Sequence, residues 1–272
     1  LTEGGFDVVH VHSPETPILG ILAVLYADTK KSALVTTSHS NISPNLVTWG
    51  YSTFAKTVKL HRLMEKVQIR TAVSPAAAAK VQSYLPWKYV VIPNGVDTER
   101  FSPKAKPVEK YMDGKLNILF VGRLGNSEKR KGLYYLVSAF NEVHKKHPNT
   151  RLLVAGPGKP DIETKVLMIT AQNKDIILTG PVPSHELPRY YQTAHMFAAT
   201  PTDGESFSLV VAEAMASGKP VVTTNISGPR DVLLGYKRYG SEVAESRFLV
   251  AKAGILVKPR DVKGIAAALE RL

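Results

Sequence analysis

The sequence contains no cysteine. Disulfide bonds, thiolate metal sites and a cysteine nucleophile are therefore excluded together. It also lacks any apolar run of about 18 residues or more, the length a membrane-spanning helix requires, so we expect no transmembrane helix. Acidic residues are scarce: 23 Asp and Glu stand against 35 Lys and Arg, and the formal net charge is +12.

This positive charge suits an anionic ligand, an anionic membrane surface or RNA, and it is equally typical of a plain solvated surface. The basic residues are dispersed, and no zinc finger, RNP-like aromatic motif or helix-turn-helix accompanies them. We therefore expect no nucleic-acid partner. A basic, partly apolar stretch, "KTVKLHRLMEKVQIR" at residues 56–70, is the candidate for a helix that contacts a membrane.

Short apolar runs alternate with helical patterns along the whole chain, which predicts an α/β fold with parallel sheets covered on both faces. The predicted strands are residues 6–12, 33–39, 69–74, 89–95, 116–122, 150–156, 175–180, 195–200, 220–224 and 253–257. Residues 133–146 and 261–272 are predicted helices. The rhythm breaks at the polar, proline-containing residues 98–115. We predict one domain over residues 1–100, a linker over 101–115 and a second domain over 116–272, with a ligand cleft between the domains.

Two cations follow the first strand of the second predicted domain. In "FVGRLGNSEKRKGL", Arg123 comes directly after the strand residue Gly122, and Lys131 precedes Gly132 and a helix. Arginine forks onto phosphate oxygens and lysine acts as a point charge, so this pair suits a diphosphate. The alternative is a mobile basic loop without a ligand, and the order of residues is not that of a Walker P-loop.

Exposed backbone is expected after the next two strands. Gly156 follows one of them, and Pro181 and Val182 follow the other. Backbone there can approach a flat ring, although a lone G-x-G is weak evidence.

The stretch "TPTDGESFSLVVAEAMASGKPVVTT", residues 200–224, contains two carboxylates that need an explanation. We predict a helix from about Ser206, with Ser206 as its cap, Glu205 in its first turn and Gly218 at its end. Its free N–H groups at Ser206, Phe207, Ser208 and Leu209 would form an anion site. Glu213 lies in an apolar run, where a charge is seldom buried unless it is paired or bound to a ligand.

Histidines mark the first predicted domain. His39 ends a strand, where its imidazole can donate to a sugar hydroxyl or a phosphate. His10 and His12 are expected on alternate faces of their strand, so we predict no metal site from "HVH". No Asp-x-Asp pair occurs that would chelate a divalent metal on a diphosphate, which favours a metal-independent reaction without a cofactor.

Taken together, these motifs resemble the retaining glycosyltransferases of family 4, and among them most closely the phosphatidylinositol mannosyltransferases. The matching stretches, in family order, are "FDVVHVHSP", "TTSH", "AVS", "VIPNGVDTERF", "FVGRL…KRKG", "GESFSLVVAEAMASGKPVV" and "GILVKP". Glu205 and Glu213, eight positions apart, match the family's Glu-x7-Glu signature. The resemblance implies the GT-B fold, in which two Rossmann-like domains face each other across a cleft.

The resemblance also implies roles for the residues above. Arg123 and Lys131 would hold the donor diphosphate, with Lys129 as the alternative to Lys131, helped by amides near Phe207 and Ser208. The resemblance assigns the ribose to Glu213, the sugar hydroxyls to Glu205, the base to the backbone of Gly156, Pro181 and Val182, and an approach to the sugar to His39. Transfer would proceed with retention and without a metal, and the leaving phosphate would help to deprotonate the acceptor.

Compared with the family pattern, we expect the first domain to lack its start and the second its end. The function that follows is transfer of a sugar from a nucleotide diphosphosugar, GDP-mannose before a UDP-sugar, to a lipid or saccharide hydroxyl. We expect a cytoplasmic protein, peripheral at the inner face of the membrane. The alternatives are a sugar-nucleotide 2-epimerase, a phosphorylase or a non-catalytic nucleotide-sugar-binding subunit.

Overall fold

The structure, a computed structural model, describes residues 5–14, 19–39, 60–158, 166, 170, 172–235 and 248–272. Contacts between residues divide the chain into two units. The first comprises Leu1–Asn94 together with Gly204–Phe207, and the second comprises Gly95–Asp203 and Ser208–Leu272. Both are built on parallel sheets, so the predicted α/β class is confirmed.

The first unit contains a four-stranded parallel sheet in the order β1-β2-β3-β4. Its strands are β1 (Val8–His12), β2 (Ala33–Ser38), β3 (Ile69–Ala72) and β4 (Val90–Val91). Its described helices are α1 (Leu19–Tyr26), α2 (Leu60–Leu63), which continues into a 3-10 turn at Met64–Lys66, and α3 (Pro75–Gln82). Helix α3 begins after the N-cap Ser74, whose hydroxyl oxygen accepts a hydrogen bond from the amide of Ala77 at 3.0 Å. Pro75 suits the first helical position, where an N–H group would have no partner within the helix.

Within the described residues, the predicted basic helix over residues 56–70 is helical only over residues 60–66, and its predicted end at Arg70 is wrong. Helix α2 ends at Leu63, the 3-10 turn ends at Lys66, and Ile69 and Arg70 belong to β3. Arg70 donates to the carbonyl of Met64 and lies over the ring of Trp87, 4.4 Å from its centroid. This arginine therefore serves the packing of the unit instead of a membrane-facing helix surface. Residues 56–59 lie outside the described residues.

The second unit contains a seven-stranded sheet in the order β10-β11-β9-β8-β5-β6-β7. The strands are β5 (Leu116–Val121), β6 (Thr150–Ala155), β7 (Ile176–Gly180), β8 (Met196–Ala199), β9 (Val221–Thr224), β10 (Phe248–Ala251) and β11 (Gly254–Val257). All neighbours are parallel except β10, an antiparallel edge strand that the sequence analysis did not predict.

Helices cover this sheet on both faces. Its described helices are α4 (Leu133–Lys146), α5 (Leu187–Thr193), α6 (Leu209–Ala216), α7 (Ser227–Leu234) and α8 (Val262–Arg271). Successive residues of β5 point to opposite cores: Ile118 packs with α4 and α8, whereas Leu119 packs with α5, α6 and α7. This is why the strands read as continuous apolar runs and not as alternating ones.

The segment predicted as a linker, residues 101–115, packs onto the second unit. Phe101 and Tyr111 are buried in the core on the α5–α6 side of the sheet, and the unit boundary falls between Asn94 and Gly95. Asp113 pairs with the guanidinium of Arg151, whose side chain is 7% exposed. Two aromatic anchors and an ion pair hold a stretch whose polar composition and prolines indicated a linker.

Candidate functional site

The chain reverses direction across the second sheet at β5. It moves from β5 to β6 and β7 on one side and then returns to β8 on the other side of β5. Ligands of open parallel sheets bind at such a switch point, outside the carboxyl ends of the strands. A site in this unit is therefore expected among the residues that follow β5, β6 and β8.

The loops after β5 and β6 are in direct backbone contact. Gly122 donates to the carbonyl of Ala155 at 3.0 Å, and Leu124 donates to that of Pro157 at 2.9 Å. A Cβ on Gly156 would lie 1.9 Å from the carbonyl oxygen of Gly122, and Gly156 has φ +147°. Glycine is needed here because the two loop backbones approach more closely than a side chain permits.

A pocket of about 210 Å³ opens beside this contact, and four of the predicted donor-site residues line it. These are Gly122, Arg123, Gly156 and Val182. Leu187, from the first turn of α5, also lines it and was not predicted. Pro181 directly precedes Val182, between β7 and α5. The pocket thus combines apolar walls, two glycine backbones and the exposed cation Arg123.

The backbone on either side of Lys131 is bonded to the residues that follow β8, which lies on the other side of β5 from β6. Lys131 ends a 3-10 helix, Asn126–Lys131, and is followed by Gly132 with φ +71°. A Cβ on Gly132 would lie 1.8 Å from the carbonyl oxygen of Thr200, the residue after β8, and the Thr200 hydroxyl donates to the Gly132 carbonyl at 3.0 Å. Thr202 adds a bond from its amide to the Arg130 carbonyl at 2.7 Å. The basic loop after β5 is therefore fixed to the end of β8.

The helix that carries Glu213 starts later than the sequence predicts. Helix α6 begins at Leu209, with Ser208 as its N-cap at φ +79°, so Ser206 does not cap it and Glu205 is not in its first turn. The predicted anion site of four amides is shifted accordingly: Ser206 and Phe207 precede the helix, and Leu209 is its first residue. A left-handed Ser208 redirects the chain, which no local residue preference indicates.

Glu213, which lies in an apolar stretch of α6, has a hydrogen-bond partner for its carboxylate. The hydroxyl of Tyr191, on α5, donates to its Oε2 at 2.8 Å. Burial raises the pKa of Glu213, whereas the Tyr191 bond and the charge of Arg100 act to lower it. The sequence did not identify Tyr191, because nothing in "LPRYYQT" shows which tyrosine faces a helix that follows about 20 residues later.

His39 and its neighbours form a histidine cluster in the first unit. His39 Nε2 lies 2.8 Å from His12 Nδ1, and His10 Nε2 lies 2.7 Å from the Thr37 hydroxyl. The rings of His10 and His12 are 4.4 Å apart at their centroids. The expectation that these two histidines point to alternate faces is wrong, because residues two apart in a strand share a face.

Burial lowers the pKa of His39, and the nearby His12 and His10 lower it further. The first unit also includes the short segment Gly204–Phe207, in which the Ser206 hydroxyl donates to the His39 carbonyl at 2.5 Å. Glu205 lies in the same segment and is partly exposed. His39, Glu205 and Ser206 therefore belong to one unit, and the residues from Ser208 onward belong to the other.

Membrane-spanning helices and metal clusters are both absent from the described residues. No described helix is both long and apolar enough to cross a membrane. Within the same residues, no group of three or more His, Cys, Asp or Glu side chains is arranged to hold a metal ion.

Comparison with known proteins gives matches over both units. The family model described as Glycosyltransferase Family 4 matches residues 1–100, and that described as Glycosyl transferases group 1 matches residues 115–272. A phosphatidyl-myo-inositol mannosyltransferase of Mycobacterium tuberculosis is 32% identical over 86% of this chain and 58% of its own length. That of Mycolicibacterium smegmatis is 30% identical over 99% of this chain and 62% of its own length. The chain thus spans about three fifths of the length of these curated relatives.

Solved structures agree with the fold. The structure of Anabaena HepE in complex with UDP aligns with a TM-score of 0.72 over 97% of this chain and 68% of that one, at 18% identity. The structural neighbours are GT-B glycosyltransferases, so the predicted fold class is confirmed. The matches to both family models, in chain order and over nearly all of the sequence, place this chain in the group 1 glycosyl transferases, family 4.

Proposed function

We propose that the protein transfers a sugar from a nucleotide diphosphosugar to a hydroxyl group of a lipid or glycan, with retention of configuration and without a metal ion. The observation that carries this proposal is the pocket at the ends of β5 and β6, which is lined by the exposed Arg123 and by the closely packed backbones of Gly122 and Gly156. The pocket lies within the part of the chain that the group 1 family model matches.

Charge supports a diphosphate at the switch point. Arg123 is exposed after β5, and Lys131 follows on a loop whose backbone is fixed to Thr200 and Thr202. A guanidinium can take two phosphate oxygens at once, and a fixed loop loses less conformational freedom on binding. We infer that Arg123 and Lys131 hold the diphosphate and stabilise the charge that develops on it as the sugar leaves.

The remaining parts of the donor have matching chemistry in the second unit. A base would lie against the backbone of Gly156 and against Pro181 and Val182, where the pocket walls are apolar. The Glu213 carboxylate would accept hydrogen bonds from the ribose. Ser208 and Leu209, at the start of α6, would offer amides to the phosphates. Ser206 and Phe207 come before the helix and would act through their own backbone amides.

The transfer step breaks the bond between the sugar C1 and the phosphate oxygen and forms one between C1 and the acceptor oxygen. The acceptor proton passes to the leaving phosphate, so no oxidant, metal or protein nucleophile is required. Glu205 would bind sugar hydroxyls, and His39 would donate to the sugar or the phosphate. Their contribution is positioning and charge stabilisation.

For the donor, the proposal favours GDP-mannose, since the curated relatives are named as mannosyltransferases. A UDP-sugar is the alternative, because one structural neighbour was solved in complex with UDP.

For the acceptor, a lipid hydroxyl follows from the names of the same relatives, and the charge of +12 suits a peripheral contact with an anionic membrane at the cytoplasmic face. Absence of salt-sensitive sedimentation with vesicles containing phosphatidylinositol would remove the membrane part of the proposal.

A thermal-shift panel tests the donor site. GDP, UDP and ADP, each with its sugar conjugates, are compared on the wild type and on Glu213→Ala. A ligand at about 100 times its dissociation constant should stabilise the unit that binds it by roughly 2.7 kcal/mol. The expected result is a shift with one nucleotide that Glu213→Ala reduces. A wild type that responds to none of these nucleotides would contradict the proposal.

Chemistry is tested with the donor that binds. Transfer to phosphatidylinositol should persist in excess EDTA, and NMR of the product should show the same anomeric configuration as the donor. An inverted product, or activity that EDTA abolishes and Mg²⁺ or Mn²⁺ restores, would refute the retaining, metal-free mechanism.

A further inference from the structure

Tyr191 is a fully buried tyrosine in the second unit, and its hydroxyl is directed at Glu213. Its ring packs edge-on against Phe101, with centroids 5.7 Å apart, and in a tilted arrangement against Phe197, with centroids 5.5 Å apart. The hydroxyl lies 2.8 Å from Glu213 Oε2 and 3.2 Å from the carbonyl oxygen of Val210. The aromatic contacts fix the position of the ring, and the hydroxyl is therefore held in place to donate to Glu213 Oε2.

The hydroxyl is a permanent donor. Burial raises the pKa of Tyr191 well above its ordinary value, and the charge of Glu213 and the hydrogen bond to it raise the pKa further. At neutral pH the Tyr191 proton is therefore always present. Because a carboxylate offers about four acceptor positions and this bond takes one of them on Oε2, the group keeps acceptor capacity for a ligand, including that of Oε1.

The carboxyl group needs this donor. Burial raises the pKa of Glu213, and the groups that oppose this are the Tyr191 hydroxyl from α5 and the charge of Arg100 from the segment before β5. Arg100 is itself held by Ser184, whose hydroxyl lies 2.6 Å from the guanidinium. Without the Tyr191 bond, the carboxyl group would take up a proton at a higher pH and would be a weaker acceptor.

We propose that Tyr191 is a positioning residue for the nucleotide: it holds and orients the Glu213 carboxylate so that one oxygen accepts from a ribose hydroxyl. This inference rests on the proposed function, because it assigns a partner to the residue that would bind the ribose. The ring contacts Phe101 and Phe197, and these contacts serve packing. The hydroxyl contacts the Glu213 carboxylate, which is the residue assigned to the ribose.

Removal of the hydroxyl, Tyr191→Phe, tests the inference in the full chain, with Tyr190→Phe as the matched control on the same helix. The probes are GDP and UDP with their 2′-deoxy and 3′-deoxy forms, and calorimetry gives each dissociation constant. Tyr191→Phe should weaken binding of the preferred ribonucleotide by about 10-fold, since a hydrogen bond to a charged group is at stake. Tyr190→Phe should change it less than two-fold.

The comparison of ribose with deoxyribose distinguishes positioning from general damage. In the wild type, loss of the recognised hydroxyl should cost about 10-fold in affinity, and in Tyr191→Phe this penalty should shrink towards none. In Glu213→Gln, adding Tyr191→Phe should have no further effect, because the tyrosine acts through the carboxylate. Equal deoxy penalties in wild type and Tyr191→Phe would overturn the inference.

The carboxyl group can also be followed directly. Carbon NMR of labelled glutamate should show a higher pKa for Glu213 in Tyr191→Phe than in wild type, and the loss of nucleotide affinity at acid pH should begin at a higher pH. An unchanged Glu213 pKa would contradict the inference even if affinity fell. The proposed function fails by a different result: a wild type that binds neither GDP nor UDP would remove both, whereas strong binding that is unaffected by Tyr191→Phe removes this inference alone.

Discussion

Individual residues at the candidate site are constrained by backbone contact as much as by chemistry. Gly156 and Gly132 each approach a carbonyl oxygen of a neighbouring loop more closely than any Cβ allows. Gly156 brings the loops after β5 and β6 together, and Gly132 fixes the basic loop to the end of β8. The positions of Arg123 and Lys131 therefore depend on the close backbone approach that these two glycines permit.

Gly156→Ala should destabilise the second unit by about 2–4 kcal/mol, because it combines a strained φ with overlap on the Gly122 carbonyl. Denaturant unfolding gives the value. Gly114→Ala is the control: it has φ +89° but nothing within 4 Å of the added Cβ, so it should cost about 1 kcal/mol through strain alone. Equal costs for the two variants would show that the contact with Gly122 is unimportant.

The histidine cluster gives a prediction for the titration of His39. The pKa of His39 should lie below 6.5 in the wild type, chiefly through burial and then through His12 and His10. His12→Ala should raise it part of the way back, whereas His185→Ala, which removes an exposed histidine that does not contribute to this shift, should leave it unchanged. NMR of the imidazole Cε1–H signals measures both. A His39 pKa that does not respond to His12→Ala would show that the two rings are uncoupled.

The lowered pKa of His39 makes the free energy of unfolding of the first unit depend on pH. The unfolded chain binds more protons than the folded one between the ordinary histidine pKa and the lowered one. The free energy of unfolding of the first unit should therefore fall as the pH drops below about 6.5, and less so in His39→Gln.

Among the elements, the segment before β5 shows how one ion pair anchors a stretch with little regular structure. A hydrogen bond from Arg151 lowers the pKa of Asp113 to about 2. Arg151 also lies over the ring of Tyr111, with its guanidinium carbon 5.6 Å from the centroid. The 3-10 turn Glu109–Tyr111 is thereby fixed to β6.

Asp113→Asn should flatten the acid dependence of stability in the second unit. The Asp113 pKa is depressed in the folded state, so its contribution is fully present above the unfolded value of 3.8 and is lost as the pH falls towards about 2. Urea midpoints between pH 2 and pH 5 measure this. Asp203→Asn, at an exposed aspartate of the same unit, is the comparison, and an equal change in both variants would argue against a special role for the Arg151 pair.

At the scale of the whole molecule, the boundary between the units lies between Asn94 and Gly95, ahead of the predicted linker. A chain that begins at Gly95 retains Phe101, Tyr111 and Asp113, whereas one that begins at the predicted boundary, Leu116, loses all three. The longer chain should unfold cooperatively, and the shorter should be less stable by several kcal/mol, since two buried aromatic side chains are removed. Denaturant unfolding of both chains gives the difference in their free energy of unfolding. Equal values would show that residues 95–115 do not stabilise the second unit, as expected of a linker.

The features that the sequence predicts correctly are those that depend on residues close together in the chain. Every predicted strand is present, and residues 133–146 form the predicted helix, because buried parallel strands and an amphipathic helix have local apolar patterns. Strand β10 was missed because it is a partly exposed edge strand that exists through antiparallel pairing with β11, a contact that "FLVA" does not reveal. The start of α6 was misplaced because capping preferences favoured Ser206, whereas the backbone turns at Ser208.

The sequence by itself determined the α/β class, the family and the residue types available for a donor diphosphate, since these depend on local periodicity and on motifs that stay contiguous. The tertiary structure decided which residues meet. The contact of Gly156 with Gly122, the packing of Phe101 and Tyr111, the contact of His12 with His39, and the pairing of Tyr191 with Glu213 all join segments through folding. Such contacts depend on strand order and helix packing, which place residues distant in sequence within hydrogen-bond range, and no local pattern encodes them.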